Sequence, residues 1–267
     1  MTAEAALPPL LLPKRRPRVI PTLLLKDGLL YKPVRFKAPK YVGDPRVAVK
    51  IFNDKGADEL VLADMTATIE RREPDYELIK EIATESFMPI AYGGGINSYD
   101  QAARILELGV EKIVLNTALA STPALSEKIA GVFGAQSVIG CLDCRKSLLG
   151  GYSVYVEAGR RRMGGKPEDI AQRIVGQGVG EIMLQSIDRE GTGQGYDLAL
   201  VRRVAGAVDV PVIALGGAGN VDHFRDAIGA GAAAVAAGSM FVFTGPHRAV
   251  LITYPPDEQL HRAFGTR

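Results

Sequence analysis

Residues 211–241 read PVIALGGAGNVDHFRDAIGAGAAAVAAGSMF. The apolar run Pro211–Leu215 predicts a strand, which breaks at Gly216-Gly217-Ala218-Gly219. A helical pattern follows over Val221–Ala230, and Gly231 stops it before a second apolar run that ends at Gly238-Ser239. Short apolar runs bounded by glycine read as buried strands, and the 3.6-residue period between them reads as a helix. The stretch is therefore a βαβ unit. Its two glycine turns leave backbone N–H groups facing open space at helix starts, an arrangement that suits an anion such as phosphate. One glycine-rich turn alone would serve equally as a tight connection.

The pattern occurs twice. Residues 89–119, PIAYGGGINSYDQAARILELGVEKIVLNTAL, repeat it, with Gly93 against Gly216, Gly109 against Gly231 and Asn116 against Ser239, at offsets of 123, 122 and 123. GADELVLADMTAT from Gly56 matches GVGEIMLQSIDRE from Gly178 at an offset of 122. A helix-ending glycine followed by a strand recurs at Gly56, Gly109, Gly178 and Gly231. Four such strands alternate with four others, so the expected fold is α/β, a (βα)8 TIM barrel built from two (βα)4 half-barrels.

Composition agrees. A chain of 267 residues, 47% hydrophobic, suits a single α/β domain over residues 18–267, with residues 1–17 a Pro-rich, flexible N-terminal extension. The net charge of +2 and the absence of a Lys/Arg stripe exclude a nucleic-acid footprint. No stretch is long and apolar enough to span a membrane. The two cysteines, Cys141 and Cys144, cannot build a disulfide framework, so a reducing cytoplasm is the expected compartment. They stand three apart within a predicted strand and point to opposite faces, which argues against a metal site. No metal and no cofactor is expected.

In chain order the expected strands are Arg18–Leu25, Glu59–Asp64, Pro89–Tyr92, Lys112–Leu115, Ser137–Asp143, Glu181–Ser186, Pro211–Leu215 and the run ending at Gly238. The first loop, KDGLLYKPVRFKAPKYVGDP, is long and basic, a candidate lid carrying Lys26 and Lys32 over the active face. A polar hairpin is expected over Tyr152–Met163. The last helix should be short or distorted, because HRAVLITYPPDEQL is β-branched and broken by Pro255-Pro256.

Two polar sets stand where a purely structural barrel would not place them. Glu59, Lys112 and Glu181, each three residues after a helix-ending glycine, share one interior layer at the strand starts, and Arg18 joins them. Such a ring is either a stabilising salt-bridge network or a floor that a small neutral molecule can pass. The second set, at the strand C-termini, is Asp64, Asn116, Thr117, Asp143, Ser186, Asp188, Glu190 and Ser239, on the rim where barrels do chemistry. Asp143, inside an apolar strand, is the candidate general acid/base, and its half-barrel mate is Leu24.

RVIPTLLLKDG, ADELVLADMTA, YGGGI, VEKIVLNTA, GEIMLQSIDREGT and VPVIALGGAGN, in this order across about Arg18–Phe243, resemble the cyclase subunit of imidazole glycerol phosphate synthase. The resemblance implies a barrel whose N-terminal face docks a glutaminase subunit as a heterodimer. Ammonia would pass a gate carried over onto Arg18, Glu59, Lys112 and Glu181. A doubly phosphorylated ribulosyl substrate would be bound by two turns. One comprises Gly93, Gly94, Gly95, Asn116 and Thr117, the other Gly216, Gly217, Gly219, Gly238 and Ser239. The two catalytic aspartates of the family fall on Leu24 and Asp143.

So the gate is complete and the acid pair is not. Further departures share that rim: Leu215 for Ser, Gln185 for Thr, and Glu190 for Asp in the SIDRDGT pattern. Three functions stay open. The first is an ammonia-channelling subunit serving acetamidino-sugar formation for surface polysaccharide, with a phosphorylated or nucleotide-sugar acceptor. The second is a genuine cyclase of histidine biosynthesis, and the third a non-catalytic ammonia conduit.

Overall fold

A computed structural model of the chain describes residues 16–147 and 150–266. Residues 1–15 of the expected extension lie outside the described residues. Eight parallel strands form the barrel: β1 (Arg18–Lys26), β2 (Leu60–Asp64), β3 (Ile90–Gly93), β4 (Lys112–Leu115), β5 (Val138–Lys146), β6 (Glu181–Ser186), β7 (Val212–Leu215) and β8 (Ala234–Ala237). Each pairs with the next, and β8 closes on β1 with Arg18 beside Ala234. The fold is a (βα)8 barrel.

The helices arise from caps and amphipathic stripes. They are α1 (Pro45–Asp54), α2 (Tyr76–Glu85), α3 (Tyr99–Glu107), α4 (Ala124–Phe133), α5 (Pro167–Val175), α6 (Leu198–Ala205), α7 (Val221–Gly229) and α8 (Asp257–Phe264). Asp44 caps α1 with proline at the first position, Ser98 and Gln101 close a capping box on α3, and the Asn220 side chain caps α7. Each cap satisfies N–H groups that the first helical turn leaves without partners. Their buried faces pack on the outer side of the sheet in one large apolar core.

A second, smaller core fills the lumen. It comprises Ile20, Val61, Ala91, Val114, Ile139, Cys141, Met183, Ile213, Leu215, Ala234 and Ala236, so every strand contributes. Cys144, by contrast, packs in the outer core, which confirms that the two cysteines face opposite sides of β5.

The half-barrels superpose in contact as well as in sequence. Gly94 and Gly216 have φ of +105° and +94°. A methyl group on Gly94 would lie 2.3 Å from the Asp64 carbonyl oxygen, and one on Gly216 would lie 2.7 Å from that of Ser186. Only glycine tolerates both the backbone angle and the approach. The contacts align Gly216 with Gly94 rather than with Gly93, one residue from the expected register.

Two segments differ from expectation. The long first loop is a β-hairpin, Leu29–Val34 against Lys37–Gly43, continuing β1 through a tight turn at Asp27-Gly28. Asp-Gly is a strong hairpin signal, since both residues accept positive φ. The last helix is short, as expected, but it lies further on and does not occupy residues 247–256. A small hairpin (Phe243–Thr244 with Ala249–Val250) precedes Pro255-Pro256, and α8 starts directly after it. The prolines open the helix instead of breaking it. Arg16 fastens that end, reaching Asp58 and Asp257 at 2.6 Å each.

Candidate functional site

At the strand starts, four charges close a ring. Arg18 donates to Glu59 and Glu181, while Lys112 Nζ lies 3.2 Å from Glu59 Oε1 and 2.9 Å from Glu181 Oε2. Each cation touches both acids. The acids are buried, whereas Arg18 keeps 32% of its side chain exposed toward the N-terminal face. Burial lowers the Arg18 pKa, but Glu181 and Glu59 outweigh it and the net shift is upward. Ala234, the fourth position of the layer, carries no charge, and Arg18 pairs in register beside it.

At the opposite end a cavity of about 360 Å³ opens in the barrel mouth. Leu24, Lys26, Asp64, Asn116, Thr117, Cys141, Asp143, Arg160 and Gln185 line it, together with Gly94 and Gly95. Pro33, Phe36 and Pro39 of the first hairpin roof it. Asp143 is 6% exposed. Burial pushes its carboxyl up to about 7; a Cys141 hydrogen bond opposes the shift and the Glu190 charge adds to it. Asn116 Nδ2 lies 3.4 Å from Asp143 Oδ2, and Cys141 Sγ lies 3.5 Å from Oδ1. A carboxyl poised near neutrality can both give and take a proton.

Among the described residues no second carboxylate in the mouth matches it. Leu24 offers only methyl groups. Asp64 shares the cavity, but Oδ1 accepts from the Thr66 and Ala67 amides and Arg72 stands 3.3 Å from Oδ2. Its charge is committed to holding the β2 loop. Burial drives the Cys141 thiol well above its usual range, so the thiolate is not at hand.

The predicted phosphate residues divide. Gly94, Gly95, Asn116 and Thr117 reach the mouth cavity, and Gly93 sits in β3 beneath them. The second-half turn is absent from the cavity lining. The Gly217 carbonyl accepts from Gly195 N at 2.8 Å, and Gly219 N donates to His223 Nδ1 at 3.1 Å. At Gly238, a methyl group would fall 2.1 Å from Lys32 Nζ. Lys32 and Glu190 are 3% and 2% exposed and form an ion pair of 2.7 Å. Ser239 Oγ beside them is buried without a hydrogen-bond partner among the described residues.

Asp188, expected on the rim, is not in the mouth. Its Oδ2 accepts from Lys146 N at 2.8 Å, and it lines a separate outer cavity with Tyr152, Arg189 and His223. The turn after β6 carries it past the strand end. Sequence reasoning missed Arg160, delivered to the mouth by the hairpin after β5, and Thr68, whose hydroxyl accepts from Gly95 N at 3.1 Å. Nothing in the local pattern of either marks it. Among the described residues no cluster of three or more His, Cys, Asp or Glu could hold a metal ion, and no helix is long and apolar enough to cross a membrane.

Comparison with known proteins agrees with the (βα)8 fold. The histidine biosynthesis protein family pattern matches residues 18–247. A Pseudomonas aeruginosa protein, provisionally named imidazole glycerol phosphate synthase subunit hisF2, is 54% identical over 246 residues, covering 92% of this chain and 98% of its own. A Vibrio vulnificus protein, provisionally named subunit hisF3, is 44% identical over 256 residues, covering 93% and 96%. The imidazole glycerol phosphate synthase subunit HisF of Alkaliphilus metalliredigens is 40% identical over 225 residues, covering 84% and 89%. The chain belongs to the histidine biosynthesis protein family.

Proposed function

We propose that this chain is the ammonia-channelling barrel of a glutamine-dependent amidotransferase, lyase/cyclase-like in ancestry, working as a heterodimer with a glutaminase on its N-terminal face. The observation that carries this is the pairing of a complete floor ring with an incomplete acid pair. Four charges at a barrel floor cost desolvation that an aliphatic layer would avoid. Retaining them suits passage of a small neutral molecule through a network that opens by moving one side chain. Above the ring the lumen is packed by Ile20, Val61, Ile139, Met183 and Ile213, with the smaller Ala91 and Ala236 among them. In the mouth, Asp143 faces Leu24 where a proton shuttle needs a second acid.

The acceptor we favour is a phosphorylated or nucleotide-linked sugar that gains an acetamidino group for surface polysaccharide. The poise of Asp143 near neutrality favours a second function, the cyclase step of histidine biosynthesis with one acid. Co-purification with a glutaminase, followed by glutamine-dependent transfer to candidate sugars, tests the proposal. A chain that binds no glutaminase, or that supports histidine synthesis at native expression, refutes it.

A further inference from the structure

Alternate residues of each strand line the lumen, and on β1 the two-residue period fixes which they are. Arg18 stands in the floor ring, Ile20 in the luminal core and Leu24 in the wall of the mouth cavity. Thr22 falls on the same face, between Ile20 and Leu24. It is 4% exposed, and its Oγ1 is buried with no hydrogen-bond partner among the described residues. The residues in register beside this stretch are apolar. Val61 pairs with Thr22 and Ala63 with Leu24 on β2, and Ala236 of β8 pairs with Ile20.

Packing does not call for the hydroxyl. A β-branched side chain suits a strand, and valine has nearly the same shape. The oxygen adds a polar group withdrawn from water, which costs stability while it stays unpaired. The luminal core around it is aliphatic or sulfur-bearing, from Val61 and Ala91 to Met183 and Ile213. Its Cys141 thiol is already turned to Asp143, at 3.5 Å. Among the described residues Thr22 thus supplies the one luminal hydroxyl between the ring and the mouth.

Ammonia crossing this lumen meets the same cost from the other side. Its N–H groups and lone pair are polar, and an aliphatic interior leaves them unpaired. Along β1, Arg18 to Thr22 is about 13 Å and Thr22 to Leu24 about 7 Å. A hydroxyl on that path can donate to the lone pair or accept from an N–H. Resting on the ammonia-channelling reading, we propose that the Thr22 hydroxyl is the resting point of ammonia between the floor ring and the mouth. No covalent bond forms or breaks there. The hydroxyl pairs with ammonia arriving from the ring and gives it up toward the mouth, so Thr22 is a positioning residue.

Cells that carry the gene and acetamidino sugars, fed amide-15N glutamine with unlabelled ammonium in excess, test this. The 15N to 14N ratio of the amidino nitrogen separates channelled ammonia from ammonia taken up out of solution. Thr22→Val removes the hydroxyl and keeps the shape, and lowers that ratio about fivefold, the effect of one lost hydrogen bond. The purified Thr22→Val chain melts at or above the wild-type temperature, because an unpaired buried oxygen is gone. Thr22→Ser keeps the hydroxyl and holds the wild-type ratio. A wild-type ratio in Thr22→Val overturns the inference and leaves channelling standing. A Thr22→Val chain that melts lower or does not fold also overturns it, since the hydroxyl then has a structural partner. So does a Thr22→Ser ratio as low as that of Thr22→Val, which assigns the effect to packing. Wild-type cells without 15N in the amidino group overturn channelling, and the inference with it.

Discussion

Lys112 Nζ and Glu181 Oε2 meet at 2.9 Å although their strands, β4 and β6, are not neighbours. The contact crosses the lumen past β5, so the floor is spanned by side chains and not by backbone. Lys112→Met removes one of two cations shared by Glu59 and Glu181. It should destabilise the chain by about 2–4 kcal/mol, as expected when a buried ion pair loses one partner. With the glutaminase bound, it should also lower the ammonia delivered per glutamine hydrolysed, read as glutamate formed against product formed. Unchanged stability and unchanged coupling would show that the ring neither braces nor gates the floor.

Asp143 sets a pH dependence whose sign is fixed by its burial. Its carboxyl is pushed up to about 7. Between the ordinary carboxylate range and that value the folded chain keeps a proton that the unfolded chain has lost. Stability therefore falls as pH rises through this window, and the loss is complete above it. Asp143→Asn should be more stable than wild type at about pH 8, by up to roughly 4 kcal/mol, and close to it at about pH 4. Thermal melts at both pH values check this. A variant less stable than wild type at the higher pH would contradict it.

Leu24 limits the cyclase chemistry. Given ammonia and the doubly phosphorylated ribulosyl substrate of the family, the purified chain should turn over at least ~10²-fold slower than a cyclase with both aspartates. Leu24→Asp alone should recover less than ~10-fold, since Leu215, Gln185 and Glu190 still depart from the family pattern on the same rim. Steady-state product formation measures both. Full recovery by that single change would place the whole difference at residue 24.

Phe87 precedes β3 on the N-terminal face and is 92% exposed. Should the glutaminase dock there, this ring is an anchor on its path. Phe87→Asp should weaken the complex by about tenfold or more while leaving the thermal melt of the isolated chain in place, because the side chain is almost fully exposed. Calorimetry with the purified glutaminase reads the first effect and a melt the second.

The fold was legible because the glycines that end helices recur at one spacing and the strands between them are strongly apolar. Glu59, Lys112 and Glu181 were legible for the same reason, as charges at matched positions of alternate strands. The pairing of Lys32 with Glu190 was not. They stand far apart in sequence, and only the hairpin formed at Asp27-Gly28 swings Lys32 over Gly238. The Asp-Gly signal was present and points to a hairpin, but hairpin geometry alone does not say which side chain enters the mouth. Asp188 shows the reverse limit, since a polar residue just beyond a strand turns outward when the loop curls.

The most direct test of ammonia channelling to a sugar uses cells that carry the gene and acetamidino sugars, fed amide-15N glutamine with unlabelled ammonium in excess. Mass spectrometry of the surface polysaccharide reads the amidino nitrogen. The account predicts 15N in that position with the gene intact, loss of the acetamidino group on its deletion, and growth without histidine in both strains. A deletion strain with unchanged polysaccharide that cannot grow without histidine would contradict it.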